Sequence, residues 1–196
     1  MQASENRSRV PLTVLLSAGL LLACACSVHE KKEGDNKRVD IQTPMGGMHV
    51  STDSDTKDVG LALYPNSRPK PKKDHDESNA NVNISTSFFG LKVVALTYLS
   101  DDSPEKLATF YKKELAKYGT VLECHNSSGT GNVSINKGKD KGKGEELHCE
   151  NEGHGSTLEL KVGTESRQHV VAIKPDGKGS EFSLVYVNAR GKEDSI

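Results

Sequence analysis

The apolar residues of this chain recur at period two in short runs almost everywhere, and at helical spacing only once, over 104–118. Alternation sends successive side chains to opposite faces of a strand, whereas recurrence every three or four residues makes one stripe along a helix. Strand is therefore the default state of this chain and helix the exception. The helix carries its own termini. Ser103 is a good N-cap, Pro104 suits the first helical position, and Asp102 and Glu105 put negative charge at the positive end of the dipole. Leu107, Phe110, Tyr111, Leu115 and Tyr118 make the stripe, Lys112, Lys113 and Lys117 lie toward the C-terminal end, and Gly119 offers a left-handed stop.

Residues 39–43 and 48–52 alternate on either side of Pro44 and the Gly46-Gly47 pair, which predicts a hairpin. Residues 61–64 are a short apolar run ended by Pro65-Asn66. Residues 81–87 and 91–99 read as two strands with a bend near Gly90. Residues 120–124 and 146–149 read as strands on either side of a loop rich in Gly, Ser, Asn and Lys. Residues 157–162, 169–173 and 181–187 read as a meander whose second link holds the turn Pro175-Asp176-Gly177. One helix among about eight short strands predicts an α+β domain: an antiparallel sheet with one main amphipathic helix, about 103–118, packed on one face.

The N-terminus sets the compartment. Arg7 and Arg9 precede an apolar run over 10–23. A helix needs about 20 apolar residues to cross a bilayer, and this run is shorter and broken by Pro11, Thr13, Ser17 and Gly19. It reads as the core of an export signal. The run ends in Leu21-Leu-Ala-Cys24, which resembles the bacterial lipobox. The resemblance implies a lipid on the Cys24 sulfur, cleavage before Cys24 and a triacylated N-terminus. With Ala25 rather than Asp next, it also implies the periplasmic face of an outer membrane. Several acyl chains hold a protein at a bilayer far longer than one. Residues 24–38 carry mixed charge and few apolar side chains, so they are expected to form a flexible tether. The predicted organisation is a signal over 1–23, a tether over 24–38, a single domain over 39–190 and a frayed tail over 191–196.

A second resemblance lies further along. Leu63-Tyr-Pro-Asn-Ser67, two strands, and then Ser103-Pro-Glu with Phe110-Tyr111 and a closing Gly119 are similar to a pattern in a family of uncharacterised exported bacterial proteins. That family has a Tyr-Pro-Gly-Ala turn where this chain has Tyr64-Pro-Asn-Ser67. The resemblance spans about 40–125 and implies a fold rather than an activity.

Composition and motifs narrow the function. A formal net charge of −1 lacks the basic excess of a nucleic-acid binder. Cys124 and Cys149 flank the polar loop, and outside the cytoplasm such a pair is expected to form a disulfide. The alternative is a metal site from Cys124, His125, His148 and Cys149. Neighbouring strand residues point to opposite faces, however, and the spacing is not that of a zinc knuckle. Asp53, Asp55 and Asp58 lack the glycine and terminal glutamate of a calcium loop. The chain has no nucleophile elbow and no phosphate-binding loop, so no cofactor is expected. The expectation is a non-enzymatic binding or structural module of the cell envelope. It is held to the membrane by its lipid and has a protein, glycan or lipid partner. The alternatives are a Cys/His metal-binding protein or an enzyme with an unrecognised site.

Overall fold

The computed structural model describes residues 26–33, 36–71, 79–126, 146–149 and 155–191. The expected signal, with Cys24, lies outside the described residues, as do most of the polar loop after β7 and residues 192–196 of the expected tail. The elements run β1 Ser27–Glu33, β2 Asn36–Thr43, β3 Gly46–Ser51, α1 Thr56–Val59, β4 Arg68–Pro69, β5 Asn79–Thr86, β6 Phe89–Ser100, α2 Pro104–Leu115, β7 Leu122–Asn126, β8 Thr157–Gly163, β9 Arg167–Asp176 and β10 Gly179–Gly191.

All ten strands join one antiparallel sheet in the order β1-β2-β3-β5-β6-β10-β9-β8-β7, with β4 on the end of β6 that β5 does not reach. The chain leaves β6, runs through α2 and reaches the far edge as β7. It returns through β8 and β9 and inserts β10 beside β6. β6 and β10 pair along their whole lengths, from Ser100↔Ser180 to Phe89↔Gly191.

The expected α+β class is overturned. Strands hold 59% of the described residues and helices 12%, so the domain is mainly antiparallel sheet. Two physical causes account for the difference. The first is that the strands run past their apolar centres, because ladder hydrogen bonds do not depend on side-chain polarity. Part of the expected tether pairs in this way: Val28 opposes Ile41, Glu30 opposes Val39, and Lys37 lies 3.9 Å from Glu30. Charged side chains such as Lys31 and Lys32 suit this outermost strand, since they oppose edge-to-edge association. The second cause is that the helix is shorter than its stripe. Pro104 stands at its first turn as expected, but α2 ends at Leu115 with Ala116 as its C-cap. Tyr118 turns away. Its hydroxyl donates to the Gly60 carbonyl oxygen and its ring stacks on His169 at 4.1 Å.

Leu107, Tyr111 and Leu115 of α2 pack on Val94 and Leu96 of β6, Phe182 and Leu184 of β10, Val171 and Ile173 of β9, and Leu160 and Val162 of β8. Each such side chain contributes about 1.5–3 kcal/mol on burial. Phe182 lies 5.6 Å from both Tyr98 and Tyr111. The Tyr111 hydroxyl accepts the Tyr64 backbone N–H at 3.1 Å, which ties the Tyr-Pro turn to the helix.

The opposite face of the sheet differs. Beside an apolar group of Val170, Val185 and Val187, β8 buries Glu159 and Lys161, paired at 3.2 Å. Cys124 opposes Glu159 in the ladder and therefore shares its face. A disulfide joins Cys124 to Cys149. This bond holds Cys149 to that face, while Glu146 pairs with Thr164 alongside the end of β8.

Candidate functional site

The residues expected to carry chemistry are placed as follows. Cys124 and Cys149 are bonded to each other, so neither sulfur is the thiolate that a metal would need. His125 is exposed on β7, and His148 Nδ1 lies 3.7 Å from Glu165 Oε1. Among the described residues, no group of three or more His, Cys, Asp or Glu side chains converges as metal ligands would. Asp55 and Asp58 form a capping box on α1, and hydrogen bonds from Thr56 and the nearby backbone hold the Asp55 carboxyl below its usual range.

A different group of residues comes together at one end of the sheet, on the α2 side. It begins with a local device, the β8–β9 turn. Gly163 has φ of +112°, and a Cβ there would lie 2.2 Å from the Arg167 carbonyl oxygen, so only glycine fits. Thr164 N–H donates to Arg167 O at 2.8 Å and Arg167 N–H to Thr164 O at 3.1 Å. The Thr164 and Ser166 hydroxyls lie 3.2 Å apart. β10 outruns β9 by enough for Ala189 N–H to donate to Ser166 O at 2.7 Å. This brings Arg190 alongside the turn while Asn188 pairs with Arg167 across the ladder.

The result is an open cleft of about 550 Å³ lined by Gly163, Thr164, Ser166, Arg167, Asn188, Ala189 and Arg190. Both arginines are exposed, and neither forms an ion pair among the described residues. Asn188 donates through Nδ2 to the Tyr186 hydroxyl at 3.2 Å, while its Oδ1 is buried with no hydrogen-bond partner among the described residues. Two guanidinium forks and two hydroxyls can hold an anion. The only ionisable side chains in this lining are arginines, which stay charged and do not shuttle protons.

Beneath the cleft, His169 lies between Tyr118 and Tyr186, with ring centroids 4.1 and 4.9 Å away. Burial lowers its pKa, and a hydrogen bond to the Val59 backbone partly offsets that effect. The stack links the C-terminus of α1, the residues after α2 and, through the Tyr186 hydroxyl, Asn188 of the cleft lining. The sequence pattern does not announce this cleft. Gly163 and the polar residues after it mark a turn, but Arg190 lies more than twenty positions away and only the β9–β10 register brings it there. No known protein family, curated protein or solved structure matches this chain.

Proposed function

We propose that this protein is a lipid-anchored module of the cell envelope that binds an anionic ligand and performs no catalysis. The observation that carries the binding reading is the lining of the β8–β9–β10 cleft, with two exposed arginines that have no carboxylate partner among the described residues, beside the Thr164 and Ser166 hydroxyls. The lipobox-like Leu21-Leu-Ala-Cys24 supports the anchor. The disulfide fits an oxidising compartment.

The anchor is tested by the mass of protein purified from its host's membranes. A start at Cys24 with acyl chains supports it, and an unmodified Met1 start refutes it. The cleft is tested by titrating inorganic phosphate against the wild type and an Arg167→Gln/Arg190→Gln variant, read by amide chemical shifts. Saturable shifts at 163–167 and 188–190 that vanish in the variant support the reading. Shifts that are absent, or equal in both proteins, refute it.

A further inference from the structure

The sheet register collects more than the cleft at one end. Ser27 opposes Gln42, Gln42 opposes Gly47, Gly47 opposes Ser85, Ser85 opposes Gly90, and Gly90 opposes Arg190. The chain entry before β1, the β2–β3 turn, the β5–β6 turn and the cleft therefore share one rim. Neighbouring strands lie about 4.8 Å apart, so β3 to β10 spans about 14 Å along it.

Both turns on this rim present an apolar side chain by the same device. Thr43 Oγ1 accepts the Met45 N–H at 3.3 Å and donates to Gly46 O at 2.8 Å. Thr86 Oγ1 accepts the Phe88 N–H at 3.3 Å and donates to Phe89 O at 3.0 Å. Met45 is left 73% exposed and Phe88 60%, and Val28, next to the chain entry, is 65% exposed. These are three of the five large apolar residues found exposed among the described residues. Scattered exposed apolar residues need no account, but their gathering at one end beside two arginines does.

Where the chain enters decides the occupant. Cys26 is the first described residue and leads into β1 at this rim. Two peptide units of extended chain reach about 7 Å at most, so a lipid on Cys24 lies close to the same rim. Apolar tips flanked by cations are the chemistry of a surface that meets anionic phospholipid. We propose that this rim docks on an anionic phospholipid bilayer, with Met45 and Phe88 in the interface and Arg167 and Arg190 on lipid phosphates. The inference rests on the reading of Cys24 as the lipid-bearing residue, and it gives the cleft's anion a source.

The chain contains no tryptophan, so one introduced tryptophan reports on its own position. Full-length lipidated protein with Phe88→Trp or Met45→Trp is reconstituted into phosphatidylcholine vesicles with and without phosphatidylglycerol, each carrying nitroxide-labelled lipid. Lys178→Trp, in the β9–β10 turn at the opposite end, is the control. Docking predicts blue-shifted, strongly quenched emission at positions 88 and 45, and unquenched emission at 178. Adding Arg167→Gln and Arg190→Gln lowers the docked-to-undocked ratio about fivefold per arginine on phosphatidylglycerol, with little change on phosphatidylcholine alone. Equal quenching at both ends of the sheet, or none at 88 and 45, overturns the proposal. Because only protein with confirmed acyl mass is used, that result leaves the anchor standing. A missing acyl mass is the separate failure of the anchor itself.

Discussion

Reducing the Cys124–Cys149 bond should lower stability by about 3.5 kcal/mol. The two residues are 25 positions apart. Closing a loop of that length removes chain entropy from the unfolded state by this amount at 25 °C. The comparison is urea unfolding of the oxidised and reduced wild type, which leaves both sulfurs in place. Loop length supplies an internal check. Deleting about 16 residues from 127–145 leaves a loop of about ten, and the bond then contributes about 0.8 kcal/mol less. There is one structural complication. The bond also holds Cys149 to the face on which Glu159 and Lys161 lie. If the segment 146–149 detaches from the reduced native protein, the loss is smaller than 3.5 kcal/mol and Lys161 becomes open to amine acylation. A loss below about 1 kcal/mol with Lys161 still protected refutes the reasoning, as does a loss that ignores loop length.

Three further outcomes follow from named contacts. Lys161→Met takes the Lys161 ammonium away from the buried Glu159 carboxylate and should cost about 3–5 kcal/mol in chemical unfolding, whereas Glu159→Leu/Lys161→Met together should recover most of it. His169 has a folded pKa below its unfolded value of about 6.5, so the unfolded chain takes up the proton first. Its contribution is complete above that pH and is lost as the pH falls toward the folded pKa, with a slope of at most about 1.4 kcal/mol per pH unit; His169→Phe should flatten the difference between stability curves at pH 7 and pH 5. Gly163→Ala places a Cβ 2.2 Å from a backbone oxygen at positive φ, so it should cost about 1–3 kcal/mol and abolish the phosphate-induced shifts at 163–167.

Where local physics decides, the structure was legible from sequence. Ser103 and Pro104 mark the start of α2, and Pro44 marks the β2–β3 turn, with Gly46 and Gly47 opening β3. The alternation in 157–162, 169–173 and 181–187 marks the meander. Cys124 and Cys149 announce their bond as a pair flanking a polar loop, and the structure joins them. What escaped was set by partners distant in sequence. The charged residues of β1 lack an apolar pattern, yet they pair because β2 presents an open edge. Tyr118 fits the helical stripe by spacing and still leaves the helix, since Gly60 and His169 offer its hydroxyl and ring a better environment. Glu159 and Lys161 stand at alternate positions of a strand, the usual mark of a solvated face, and Cys149 reaches that face through a bond across the loop. The cleft was invisible for the same reason: Arg167 and Arg190 become neighbours only when β10 outruns β9.

The place of β10 has a consequence for how the molecule comes into being. This strand is the last of the described elements and lies between β6 and β9, near the middle of the sheet. A chain synthesised N-terminus first holds two open-edged pieces, β1 to β6 and β7 to β9, until β10 arrives. The sheet closes when β10 slots between the waiting edges of β6 and β9 and completes contacts of long sequence separation.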